Sequence, residues 1–119
     1  MKKNVTREKA YKFAIRIVNL YKVLCKRKEF VLSKQLLRSG TAIGALLQES
    51  EQAQSRADFI SKVNIALKEA NESEYWITLL KDTQFLTNAE YVSIVDDCRE
   101  LIRLTISIVK TSKNNSIHS

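Results

Sequence analysis

The chain contains no proline, and only two of its 119 residues are glycine. Because these residue types supply most tight turns and helix stops, their scarcity excludes a turn-rich all-β fold and makes long helices the default. The single histidine, His118, stands next to the C-terminus, so no Ser-His, Cys-His or His-metal constellation can be assembled within one chain. The inward Glu-x-x-His pairs of a di-metal bundle are missing too, and no metal, cofactor or small-molecule substrate is expected. The two cysteines, Cys25 and Cys98, both fall on apolar helical stripes, where inert thiols of a reducing compartment sit. In an up-and-down bundle they would stand roughly 12 Å apart along the axis, too far for a disulfide. Long apolar runs are also lacking. Thr41 to Leu47 falls far short of the ~20 residues that span a bilayer, and charges running through Lys12 and Arg16 leave no apolar core for a signal peptide. The expectation is a cytoplasmic protein of one domain.

What remains is helical periodicity. Apolar residues step by threes and fours through four segments, 7–26, 34–51, 56–83 and 88–111, as the buried stripe of an amphipathic helix requires. The third is the most regular: Phe59, Val63, Ala66, Ala70, Ser73, Ile77 and Leu80 form a seam suited to packing at a shallow angle along its length. Capping boxes mark two helix starts, Ser55 with Asp58 and Thr87 with Glu90, the second with Leu86 placed to staple onto Tyr91. Ser33 is expected to cap the second helix. Connections of about five to seven residues force consecutive helices to lie antiparallel. The fold predicted is an all-α, antiparallel up-and-down four-helix bundle over residues 1–111, followed by a frayed polar tail at 112–119. Gly40 and Gly44, one turn apart in the second helix, each cost about 1 kcal/mol relative to Ala, an expense that close approach of another backbone would explain.

Charge is distributed unevenly. Residues 1–30 hold ten Lys/Arg against Glu8 and Glu29, a net of +8, whereas the rest of the chain is nearly neutral within a total of +7. On a helical wheel Lys9, Lys12, Arg16, Asn19, Lys26 and Arg27 lie opposite the apolar stripe. Such a ridge is either a solvated face or a surface that tracks phosphates. No groove-reading helix-turn-helix or aromatic stacking motif accompanies it. Ile65, Tyr75, Trp76 and Leu79 project from the third helix away from its seam. That surplus stripe fits self-association, or else a broader contact of Trp76 within the chain. Glu49 is weighed as a partly buried acid, but it has no base or metal ligand to couple to.

Gln35-Leu-Leu-Arg38-Ser39-Gly40-Thr41-Ala42-Ile43-Gly44, then Ala53-Gln-Ser55-Arg56-Ala-Asp58-Phe59, Ala66-Leu-Lys68-Glu69-Ala70 and Glu74-Tyr75-Trp76 resemble the small bacterial four-helix bundle proteins first noticed in intervening sequences of large-subunit rRNA genes. Members are sometimes labelled ribosomal proteins. The resemblance implies an antiparallel bundle, commonly a ring-like homopentamer, without established enzymatic activity. A similar fold serves as the basic accessory protein of diversity-generating retroelements, a nucleic-acid partner. One departure is Leu46, where the family usually has Asn after Gly-Ala; only Glu49 survives of any polar site there. The combined reading is a non-enzymatic, self-assembling, basic bundle that contacts RNA or DNA through Lys9, Lys12, Arg16, Lys26, Arg27 and Lys28, with Ile65, Tyr75, Trp76 and Leu79 as oligomer interface. The competing reading is a protein-interaction scaffold with no nucleic-acid role.

Overall fold

A computed structural model describes the backbone of residues 2–118 and the side chains of residues 4–114. Four helices follow one another: α1 (Lys2–Lys26), α2 (Leu32–Ser50), α3 (Arg56–Asp82) and α4 (Asn88–His118). Each helix packs on its two neighbours around a square, α1 on α2 and α4, α3 on α2 and α4, and among the described residues the diagonal pairs approach each other only through the core. The result is a rod of 52 × 22 × 20 Å, the up-and-down bundle that the short connections dictate.

The apolar residues that step by threes and fours supply the core, except that Val18 of α1, which the spacing placed on the stripe, is turned out to solvent at its flank. Phe13, Ile17 and Leu24 of α1, Ile43 and Leu36 of α2, Val63, Ile77 and Leu80 of α3, and Val95, Cys98 and Leu101 of α4 close into one core. Small residues set the spacing of α2 and α3. Ser39 and Ser73 are both fully buried, and their hydroxyl oxygens lie 2.8 Å apart in a shared hydrogen bond. Ala66 and Ala70 add no bulk beside them. Gly44 meets the Ala10 backbone, as close approach requires, but at Gly40 the neighbour is the Ile17 side chain.

Several ends differ from expectation, each for a local reason. α1 begins a turn and a half early because Thr6 is fully buried, extending the stripe through a polar residue. α4 runs on to His118 rather than stopping at 111, since nothing between Thr111 and His118 removes or bends a backbone hydrogen bond. Ser119 and the His118 side chain lie outside the described residues. Ser33 does not cap α2. The capping carboxylate is that of Glu29, which accepts from the backbone N–H of Val31 (3.2 Å), Leu32 (3.1 Å) and Ser33 (2.6 Å), while the Ser33 hydroxyl donates back to the Glu29 carbonyl. The box at Thr87 and Glu90 closes reciprocally, at 2.8 and 3.1 Å. At α3 the Asp58 N–H donates to Ser55 Oγ, but the Asp58 carboxylate reaches past Ser55 to the Gln54 N–H.

α1 and α3 stop the same way. The N–H groups of Lys28 and Glu29 return to the carbonyls of Cys25 and Leu24, and those of Gln84 and Phe85 return to Lys81 and Leu80. These are two Schellman motifs, whose left-handed position normally belongs to glycine. Here Lys28 and Gln84 occupy it, each at φ 69°, at a cost of about 1 kcal/mol apiece.

Candidate nucleic-acid interface

The six cations singled out from the sequence divide into two groups. Lys9, Arg16 and Arg27 reach sideways onto α4. Lys9 Nζ stands 3.3 Å from Glu100, Arg16 pairs with Asp97 and donates to Ser93 Oγ at 2.7 Å, and Arg27 forms a two-pronged pair with Glu90 at 2.8 and 2.9 Å while donating to the Phe85 carbonyl. As the residue number rises on α1 it falls on α4, so the three pairs form a ladder along the sparsest seam of the bundle. The expected continuous ridge is therefore interrupted, because the α4 acids project toward its flank.

Lys12, Lys26 and Lys28 are exposed and have no carboxylate partner among the described residues, and Lys22 and Lys34 share that condition. Lys22 was missed because it lies toward the apolar flank of the wheel. Lys34 was missed because it lies outside the first thirty residues, although the turn between α1 and α2 brings it to the same end of the bundle. Tyr11, Ile15 and Val18 are also exposed on α1, so its outward face alternates cations with apolar groups.

Two carboxylates at the end of the bundle where α1 stops, Glu90 and Glu29, are held below their ordinary values. The Arg27 guanidinium and the Thr87 N–H bring the Glu90 carboxyl down from its ordinary 4.5 to about 2. Burial alone would raise Glu29, but the N–H groups of Ser33, Leu32 and Val31 outweigh it and hold the group below its ordinary value. Cys98 is the opposite case. Burial, with Glu74 adding to it, pushes the thiol up to about 12, and Sγ donates to the Ala70 carbonyl at 3.2 Å. It is an inert core group, whereas Cys25, also outside any disulfide, is half-buried beside Tyr21.

The expected interface stripe on α3 is discontinuous. Ile65 and Tyr75 are exposed, at 44% and 62%, but they lie ten residues apart, about 15 Å along the helix. Between them Glu69 and Glu72 form ion pairs with Arg38 of α2. Trp76 does not project clear of the seam: it packs against the core, with its ring edge-on to Tyr75 at 5.1 Å, and its buried Nε1 has no hydrogen-bond partner among the described residues. Leu79 is half-buried beside it. The wheel placed Trp76 outside because the stripe buried by α3 is broad enough to contact α2 as well. Glu49 is exposed, and Leu46 packs on the core where a polar residue was expected from the family pattern. No group of three potential metal ligands occurs among the described residues, and no helix there is long and apolar enough to cross a membrane.

The family model described as 23S rRNA-intervening sequence protein matches residues 2–107. The chain is also similar to the crystal structure of a protein with unknown function from the S23 ribosomal protein family of Bacteroides thetaiotaomicron VPI-5482. The two share 61% identity and a TM-score of 0.91 over 92% of this chain and 99% of the other. No curated protein matches the chain.

Proposed function

The chain belongs to the 23S rRNA-intervening sequence protein family, and from that premise we propose that it is a non-enzymatic, self-assembling bundle that contacts nucleic-acid phosphates. The contact surface is the set of cations on α1 and its following turn that α4 leaves unpaired. The observation that carries this reading is the +8 segment at residues 1–30, with Lys12, Lys22, Lys26 and Lys28 exposed and in no ion pair among the described residues. Lys9, Arg16 and Arg27 are engaged with acids of α4 and play a secondary part. Their pairs are largely solvated, and exposed pairs contribute only about 0–1 kcal/mol. A phosphate can therefore draw Lys9 or Arg16 away at small cost. Assembly multiplies the field by presenting several α1 faces on one particle.

Fluorescence anisotropy with an RNA hairpin and a duplex DNA, titrated from low to physiological salt, tests this. Four lysines each neutralising one phosphate of duplex DNA predict log affinity falling against log salt with a slope of about −3 to −4 per protomer. Absence of binding at low salt would remove the nucleic-acid role and leave the protein-interaction scaffold in its place.

A specific observation favours a self-association surface on the same molecule: Tyr75 and Ile65 remain exposed on α3. Light scattering of Tyr75→Glu with Ile65→Glu is expected to show a smaller particle than the wild type, for which the family resemblance implies a pentamer. An unchanged mass would take α3 out of the interface.

A further inference from the structure

We propose that the turn joining α1 to α2 is a contact site for an unpaired nucleotide of a single-stranded nucleic acid. In this site the Phe30 ring stacks on the base while Lys26, Lys28 and Lys34 neutralise the flanking phosphates. The proposal rests on the nucleic-acid reading above and names the substrate class of that surface.

Four observations converge on this turn. Phe30 is 51% exposed, and Val31 beside it is 70% exposed. An aromatic face left in water, with exposed lysines on both sides of it in sequence, has the composition of a base-stacking platform, since every base offers a π face and every linkage a charge. Secondly, the one acid of the turn is withdrawn from its surface. Glu29 is 7% exposed and spends its carboxylate on three backbone N–H groups. It therefore leaves the lysines uncompensated and closes the α2 N-terminus to a phosphate, which must be met by side chains instead. Thirdly, Arg27 cancels Glu90, the acid in the first turn of the adjoining α4. Fourthly, Lys28 holds a left-handed conformation, φ 69°, at a position where glycine would be unstrained. The equivalent position at the end of α3 holds the uncharged Gln84 at the same φ, so what distinguishes the α1 end is the charge it carries and not the backbone. The ligand is single-stranded because the bases of a duplex are already stacked on each other, and the deep, narrow major groove of RNA excludes side chains.

The test is anisotropy of labelled U10, dT10 and a mixed-sequence RNA duplex with the intact protein. Phe30→Ala is expected to weaken binding of both single strands about tenfold, leave the duplex unaffected and keep the salt slope. Lys28→Gly is expected to lower the salt slope by about one while raising the melting temperature by about 4 °C. Gln84→Gly, which relieves the same strain at the end of α3, should raise the melting temperature equally and leave affinity unchanged. Equal loss on duplex and single strand in Phe30→Ala, or no loss at all, would overturn the proposal. So would a change in particle mass at unaltered affinity, which would place Phe30 against a second copy. If the wild type binds none of the three probes, the nucleic-acid reading itself fails. If it binds them all alike and Phe30→Ala changes nothing, only the stacking site fails.

Discussion

At Gly40 an added methyl group has no room: a Cβ there would lie 2.9 Å from Ile17 Cγ1 and 3.0 Å from Cγ2. Those atoms belong to a β-branched side chain in the centre of the core, with little freedom to turn away. One turn on, the corresponding Cβ at Gly44 would meet Ala10 at 3.6 to 3.7 Å, an ordinary contact. Two glycines that look alike in the sequence thus make opposite predictions. In urea unfolding, Gly40→Ala is expected to lose about 1–3 kcal/mol through overpacking, and Gly44→Ala to gain up to about 1 kcal/mol from helix propensity. Glu29 gives a second prediction at this scale. Glu29→Ala leaves three N–H groups at the start of α2 without their acceptor and should cost about 2 kcal/mol. Neither effect could be read from the residue types alone, since the sequence does not say that Ile17 faces Gly40, and it offered Ser33 as the more conventional cap.

Among the elements, α1 and α4 are joined differently from the other neighbours. Their core seam is the sparsest, and the Lys9–Glu100, Arg16–Asp97 and Arg27–Glu90 pairs line it. A pH dependence follows from the third pair. The Glu90 carboxyl lies at about 2 in the folded protein against 4.5 ordinarily. A depressed folded value means that the stabilisation is complete above about pH 4.5 and is lost as pH falls toward 2. Glu29 and Asp58, both also lowered, the latter mainly through its Lys62 partner, act in the same direction. Melting temperature measured from pH 7 down to 2.5 should therefore fall, and Glu90→Gln should be less stable at pH 7 but lose less in acid. The element boundaries follow the same distinction between pattern and contact. The centres of all four helices were legible from apolar periodicity, and Thr87 with Glu90 marked the start of α4. The start of α1 was hidden because Thr6 continues an apolar stripe with a hydroxyl.

For the whole molecule, the antiparallel square was legible because the four stripes and short connections admit few alternatives. The charge asymmetry was equally plain, being a matter of counting. What the sequence could not supply was the division of that charge, because pairing depends on which α4 acids come alongside α1. Only the folded arrangement separates Arg16 and Arg27, turned toward α4, from Lys12 and Lys26, turned outward. The measurement that bears most directly on the account is therefore the affinity of the Lys12→Glu, Lys26→Glu double variant for an RNA hairpin, compared with wild type at one fixed low salt concentration. Neither lysine has an ion-pair partner among the described residues, so the variant should keep its helical circular dichroism and melting temperature while affinity falls at least tenfold. Unchanged affinity in a folded variant would contradict the assignment of the α1 face to phosphate contact.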